Sequence, residues 1–410
     1  MTIATTTSFE EHCRDTVREL RGAFLDLYAQ VGADADRPQE VSRLLGLDKN
    51  LTWKVSRVLQ AEDAFAALPL LPGSAGLDLV LEATEKAGAT KAALMRARVA
   101  IAAIESMVAT HGGDRATMEL MIDSREGGGL EKSRKLAFRG NAGIWGIQAR
   151  ARLSAQVLAP SADDPDMLDV VLIAGFQGVR RFRSTPRWPV FRLARYEISG
   201  QEHRFNIEEP PSQTPGVPQG LMPSFTRGAM PEVFVRREGQ DPEGPAGDHT
   251  QAGLGTLYEI GDGPVGKTGE FGCYFGFGYR KDVPRYAAGP GETAFLAASI
   301  AMPVETLLFD LLVHKDLPEA LQSESAVYGG AWQGTGEFPE SARLPINDRA
   351  LHLGRGANLS TPLADQYPAV MARAFERTGW DPKDFHCLRL IVEHPPMPSR
   401  AVMRYPLGEK

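Results

Sequence analysis

Residues 130–159 read LEKSRKLAFRGNAGIWGIQARARLSAQVLA, and the periodicity of the chain changes inside them. Leu130 to Phe138 reads as helix, whereas Ile147 to Ala159 carries a strand-like pattern. Outward from that change, the upstream residues read as helix and most of the downstream ones as strand and loop. The fold class this predicts is α+β, with an all-helical N-terminal region followed by a large β-rich C-terminal domain.

Upstream, Phe9, Cys13, Val17, Leu20, Phe24, Leu27 and Val31 recur every three or four positions. That is one stripe of a long helix, with Ser8 as N-cap and Gly32 just past its end. Pro38 sits where a second helix can begin, two short helical patterns flank Gly46, and Leu77 to Ala87 forms a further helix. Thr90 to His111 is rich in alanine, with Leu94, Ile101, Ile104 and Val108 on one side. Small side chains let a neighbouring helix approach closely, so this segment reads as a packing or dimerisation element, together with Ser8–Val31.

Downstream, strands are expected at Met167–Phe176, Phe191–Ile198, Thr256–Ile260, Cys273–Arg280, Thr293–Ile300, Thr306–His314 and Leu388–Val392. One amphipathic helix, Tyr367 to Thr378, interrupts them. Glu208 to Gly255 is dominated by Pro, Gly, Gln and Asp and reads as a long loop or insertion. No internal repeat is visible. The resulting division is 1–75, 76–145 as a helical connector or dimerisation region, and 146–410 as the β-rich domain.

Composition narrows the function classes. The chain has 410 residues, is 43% apolar and 24% charged, and carries a net charge of −7, which excludes a disordered chain and one that coats nucleic acid by bulk charge. A local DNA-reading patch stays compatible with that balance. Cys13, Cys273 and Cys387 are too few for a disulfide framework, which fits a reducing compartment. The N-terminus lacks the basic start and apolar core of a secretion signal. The most apolar stretch, Phe295 to Val313, is broken by Pro303, Glu305 and Asp310, so no membrane span is expected. The expected location is cytoplasmic.

The segment Arg37 to Leu59, RPQEVSRLLGLDKNLTWKVSRVL, divides into an apolar back and a polar front. Gly46 supplies a turn without steric cost between two short helices. Val41, Leu44 and Leu45 form the buried face of the first helix, and Leu47, Leu51, Val55, Val58 and Leu59 that of the second. Lys49, Asn50, Trp53, Ser56 and Arg57 then point the other way, with Lys54 on the flank. Five Lys or Arg stand against Glu40 and Asp48 between residues 37 and 57, in an otherwise acidic protein.

This segment resembles the helix-turn-helix of bacterial transcriptional regulators. It departs from them at Thr52, where Val or Ile is usual, and at Ser42, where Ala is common. The resemblance covers only residues 37–59. It implies double-stranded DNA as partner, a homo-oligomer (dimer or higher), and base or phosphate contacts from Lys49, Asn50, Trp53, Lys54, Ser56 and Arg57. The competing reading is a helical hairpin that makes protein contacts only in an assembly protein, and an outward Trp53 suits it.

Three further patterns carry weaker signals. Val179 to Arg195 holds six arginines and no acid, interleaved with Phe182, Trp188 and Phe191. Arg180, Arg181, Arg183 and Arg187 could therefore contact nucleic acid, although a hairpin with a solvated basic face explains them as well. Lys132, Arg134, Lys135 and Arg139 read as a solvated helix face. Gly261 to Thr268, GDGPVGKT, matches the phosphate-binding pattern, with Gly266, Lys267 and Thr268 as nucleotide contacts in an enzyme reading. That mechanism needs a helix starting at the Lys–Thr pair, and the glycine- and aromatic-rich sequence that follows favours a strand. A glycine-rich hairpin loop with Lys267 exposed is the expectation.

His386, Cys387 and His394 are close in sequence, but adjacent strand residues point to opposite faces, so no metal site is expected. No nucleophile elbow or other catalytic constellation is present, and no cofactor is called for. The C-terminal region exceeds what dimerisation needs, so a sensory or assembly role is expected for it. A small-molecule effector pocket lined by Trp145, Trp188, Phe275 and Trp332 is one reading of its aromatics, and plain core residues the other.

Overall fold

The computed structural model describes residues 8–124, 130–184, 187–194, 204–209, 218–237, 255–330 and 338–410. The chain is α+β, a helical N-terminal region of several helices followed by β-rich sheets, and divides into two compact units, Met1–Gly128 and Gly129–Lys410.

The first unit contains α1 (Phe9–Gln30), α2 (Pro38–Leu45), α3 (Lys49–Gln60), α4 (Ala64–Ala67), α5 (Ser74–Lys86), α6 (Lys91–His111) and α7 (Arg115–Asp123). Ser8 caps α1 by accepting from the Glu11 amide at 3.2 Å. The α1 stripe of Cys13, Val17, Leu20, Phe24 and Leu27 is buried, as are Ala93, Leu94, Ala97, Ile101 and Ile104 of α6, which packs against it. The two helices run antiparallel. Gln30 at the end of α1 accepts from the Thr90 amide at 3.0 Å, and His12 near its start meets His111 at 3.0 Å. Arg21 then ties α3 to this pair by donating to the carbonyls of Val58 at 2.9 Å and Ala61 at 2.8 Å, which have no partner within a helix end.

The second unit opens with α8 (Glu131–Trp145), which stops at Gly146 in the left-handed conformation, φ 72°. The strands follow as β1 (Ile147–Pro160), β2 (Met167–Arg181), β3 (Arg187–Ala194), β4 (Arg204–Asn206), β5 (Arg227–Gly228), β6 (Val233–Arg237), β7 (Gly255–Gly261), β8 (Phe271–Pro284), β9 (Thr293–Ile300), β10 (Val304–His314), β11 (Glu324–Gly329) and β12 (Leu351–Arg355). Then come α9 (Tyr367–Thr378), β13 (Phe385–Glu393) and β14 (Ser399–Pro406).

An eight-stranded sheet runs β12-β13-β10-β1-β2-β8-β4, with β5 also on β8, and two three-stranded sheets run β11-β14-β9 and β3-β7-β6. Only the β1–β10 pairing is parallel among the described strand pairs. One face of the large sheet, through Phe275, Phe277, Leu307, Phe309 and Leu311, shares a core with Phe191, Tyr258, Ala401 and Met403 of the small sheets. The other face, through Ala151, Leu153, Ala155, Leu308 and Leu312, is covered by Tyr367, Val370, Met371 and Phe375 of α9. Burial on both faces explains why β10 reads as a nearly continuous apolar run from Leu307 to Val313, interrupted at Asp310, whereas β1 alternates small or apolar residues with Gln148, Arg150, Arg152, Ser154 and Gln156. Glycine in β8 has a packing reason: a Cβ at Gly278 would enter the ring of Phe205.

Several expectations are corrected. The loop over Gly261–Thr268 is not a hairpin, because β7 and β8 belong to different sheets. The described parts of Glu208–Gly255 contain β5 and β6, and residues 210–217 and 238–254 lie outside the described residues. Residues 195–198 of the expected Phe191–Ile198 strand also lie outside them, and the described strand begins at Arg187. No single described helix is long and apolar enough to cross a membrane.

Arg152 of β1 is 6% exposed and has no carboxylate partner among the described residues. Its guanidinium lies over the Phe176 ring at 4.6 Å and donates to the carbonyls of Leu153 and Gly175. Burial lowers its pKa to about 10. The neighbouring Cys273 thiol cannot act as counter-ion, because its own burial pushes it up to about 12 and keeps it protonated. A depressed cation pKa means that the fold carries the cost at every pH below that value. Arg152→Met keeps the apolar stem and removes the charge, so it is expected to raise the urea midpoint, a net gain of about 1–2 kcal/mol after loss of the cation–π contact. An unchanged or lower midpoint would show that the guanidinium stabilises this core.

Candidate nucleic-acid interface

The helix pair α2–α3 is joined by three residues, Gly46, Leu47 and Asp48. Gly46 adopts φ 63°, ψ 29°, the left-handed region where a side chain strains the backbone. Asp48 caps α3 by accepting from the Asn50 amide at 2.8 Å. Ser42 has its own role in this turn, since its hydroxyl donates to the Leu47 carbonyl at 2.7 Å. That bond gives a physical reason for Ser at a position where Ala is common. Thr52 is 1% exposed and satisfies its hydroxyl on the Lys49 carbonyl at 3.1 Å, so it fills the core position expected of Val or Ile.

The division of faces follows the sequence closely but not completely. Val41, Val55 and Val58 are buried, and Leu45, Leu47, Leu51 and Leu59 are partly buried. Leu44 departs from the expected apolar back, being 53% exposed. On the front, Lys49, Asn50, Trp53, Lys54 and Arg57 are all exposed. Trp53 is 51% exposed, and the Arg57 guanidinium lies 5.4 Å from its ring centre. Among the described residues, Arg43, Lys49, Lys54 and Arg57 form no ion pair. Arg37, by contrast, is held by Glu40 at 3.2 Å and Asp34 at 3.5 Å.

Ser56 does not share that front. It is 4% exposed and donates its hydroxyl to the Ala35 carbonyl at 2.6 Å, fastening α3 to the loop before α2. One residue step of a helix is about 100°, so a position at the edge of the polar arc can turn inward when a carbonyl waits there.

The arginine-rich patch does not form one open basic surface. Arg181 is 1% exposed and donates to the Gly261 carbonyl, while Arg180 is paired with Glu270 at 2.6 Å. Arg183 donates to the Ile144 carbonyl at 2.5 Å, and Arg187 lies 4.0 Å from the Phe234 ring centre. Strand alternation sends Arg180 and Arg181 to opposite faces. In the basic stretch of α8, Lys132, Lys135 and Arg139 are exposed, but Arg134 is buried and paired with Asp348 at 2.8 Å. In the glycine loop, Lys267 is exposed, and Lys267–Gly269 forms only a three-residue 3-10 turn leading into β8. No α-helix presents its amides to a phosphate there.

The aromatic residues do not converge as one set. Trp188 and Phe275 are buried in the core, and Trp145, 45% exposed, meets Trp188 edge-on at 5.4 Å. Trp332 lies outside the described residues.

Sequence reasoning missed the pairings that join distant segments. Cys387 is buried and His386 half-buried, but His386 stacks on His352 of β12, with Nδ1 and Nε2 3.3 Å apart. Only the register between β12 and β13 brings them together, and no local signal announces it. Among the described residues no group of three or more His, Cys, Asp or Glu could hold a metal. Burial, then the neighbouring His352 and Arg355, lowers the His386 pKa from 6.5. A histidine with a lowered folded pKa contributes stability above its unfolded pKa and loses it as pH falls through the folded one. The unfolding midpoint is therefore expected to fall on acidification below pH 6.5, and less steeply in His386→Gln than in the parent chain. Parallel pH profiles would remove His386 from that account.

The chain matches no protein-family model, and none of the curated proteins compared with it matches it either.

Proposed function

We propose that the chain is a sequence-specific DNA-binding transcriptional regulator, reading double-stranded DNA with α3, and that the β-rich unit serves an effector-binding or assembly role. One observation carries the reading. α3 holds Lys49, Asn50, Trp53, Lys54 and Arg57 outward from a glycine-turned helix pair whose opposite face is buried. Amide and guanidinium groups on one exposed helix face are the donors and acceptors that base edges require, and the lysines suit phosphates. Lys54 and Arg57 are assigned to phosphate or guanine edges, Asn50 to an adenine edge, and Trp53 to sugar or a thymine methyl.

The test is the affinity of the full chain for random-sequence duplex DNA as salt is raised. Neutralising phosphates releases counterions, so log affinity should fall linearly with log salt, by roughly 0.9 per phosphate contacted. No binding at low salt would set the reading aside. The exposed side chains of Leu44 and Trp53 favour one second reading, in which the same surface docks a protein. A chain that ignores DNA yet loses a protein contact on Trp53→Ala would support it.

A further inference from the structure

The α6 helix has two faces, and one of them is exposed, with no partner among the described residues. Ala93, Leu94, Ala97, Ala100, Ile101, Ile104 and Met107 are buried in the first unit. On the opposite side Ala92, Met95, Val99, Ala102, Ser106 and Ala109 are all exposed, Met95 and Val99 each at 62%. Their spacing alternates three and four residues over the whole helix, which is the a and d seam of a two-stranded coil. Alanine and serine in it allow close approach of a second helix, while Met95 and Val99 supply the larger apolar contacts. Ser106 can satisfy its hydroxyl on its own helix.

The charges beside the seam select the occupant. Lys91, Arg98 and Glu105 occupy one flank, and Arg96, Ala103 and Thr110 the other. Arg96 already has Asp26 of its own chain at 3.9 Å, but Arg98 and Glu105 form no ion pair among the described residues. In a parallel, in-register pair, Lys91 of one copy would face Arg96 of the other. In an antiparallel pair centred on Arg98, two Arg98 side chains would meet. Moving the two-fold axis to the level of Ala100 and Ile101 changes both problems. Arg98 then faces Glu105 of the other copy, twice, and every seam residue finds a partner: Ala92 with Ala109, Met95 with Ser106, and Val99 with Ala102. Arg96 faces Ala103 and keeps Asp26.

We infer that α6 is the homodimer seam of this chain, pairing antiparallel with a second copy in that register. The argument rests on α6 alone and holds whether or not α3 reads DNA. Where α3 does read DNA, the dimer supplies two recognition helices related by a two-fold axis, as palindromic half-sites require.

The test is made on the full chain without DNA, by sedimentation equilibrium and thiol cross-linking. The parent chain should dimerise. Arg98→Glu and Glu105→Arg, each of which sets like charges against one another twice, should weaken the dimer at least tenfold. The combined exchange should restore it. Met95→Cys with Ser106→Cys should give a covalent dimer on oxidation, whereas Val99→Cys alone should not. All these positions are exposed, so unchanged far-ultraviolet circular dichroism is expected throughout. A monomeric parent chain, a charge exchange that does not restore pairing, or efficient cross-linking through Val99→Cys would each overturn the inference.

Discussion

Asp310→Ala is expected to lower the unfolding free energy of the β-rich unit by about 3–5 kcal/mol, the usual cost of leaving a buried charge alone. Asp310 sits in the middle of β10 and is fully buried. Both its oxygens accept from Arg389 of β13 at 2.8 Å, and Oδ2 also accepts from the Tyr367 hydroxyl of α9 at 2.8 Å. The triad therefore fastens the helical layer to the centre of the large sheet. Arg389 is only 11% exposed on its side chain, and without Asp310 it would keep just the Leu359 and Ser360 carbonyls, each at 3.2 Å. Those contacts do not neutralise it. The Tyr367 hydroxyl, whose pKa is raised by burial and then by Asp310, would lose the acceptor it donates to. Asp310→Leu combined with Arg389→Met and Tyr367→Phe should cost less than Asp310→Ala alone, because it removes every partner of the buried charge together. Urea unfolding of the variants would decide. A loss below about 1 kcal/mol for Asp310→Ala would show that solvent reaches Arg389 and that the triad does not hold the layers.

The second large effect is expected on DNA. Lys54→Ala with Arg57→Ala should weaken binding of the chain to duplex DNA by about 2–4 kcal/mol, roughly 30-fold to 1000-fold, and flatten the salt dependence by about two. Both residues are exposed on α3, so their truncation leaves the helix core of Thr52, Val55 and Val58 intact. Ser56→Ala is the informative control. Because Ser56 donates to the Ala35 carbonyl inside the fold, it should cost about 1 kcal/mol of stability and leave the salt slope as it was. Equal losses of affinity in both variants would mean that α3 acts through folding and not through contact.

Reading the sequence succeeded where a pattern is local. The helix-to-strand change near Gly146, the boundaries of α9 and β9, and the Ser8 cap all follow from neighbours within a few residues. The front of α3 was legible for the same reason, since a 3.6-residue period separates Lys49, Asn50, Trp53, Lys54 and Arg57 from Val55 and Val58. Ser56 was misplaced because its partner, Ala35, is distant in sequence and competes with solvent for the hydroxyl. Leu44 was assigned to the core by type, although a helix as short as α2 buries only part of its apolar arc.

Non-local pairing accounts for the rest. The strands β11, β12 and β14 are short or carry mixed sequence, and the sheet contacts of β13 and β9 help to define them. The Asp310–Arg389–Tyr367 triad joins β10, its antiparallel neighbour β13 and α9, and no spacing rule connects them. The exposed apolar face of α6 is less legible than its buried one. Its alanines were visible as a contact surface, but which of them face solvent is set by the packing of α1 on α6.

Selection of bound duplexes from a random library, by the parent chain and by Asn50→Ala in parallel, tests most directly whether α3 reads bases. A single enriched motif for the parent chain is expected, with the preference relaxed at one base pair per half-site in Asn50→Ala, at a cost of about 1–3 kcal/mol for that position. No enrichment by the parent chain, or a motif that Asn50→Ala leaves unchanged at every position, would contradict the assignment of α3 as a base-reading helix.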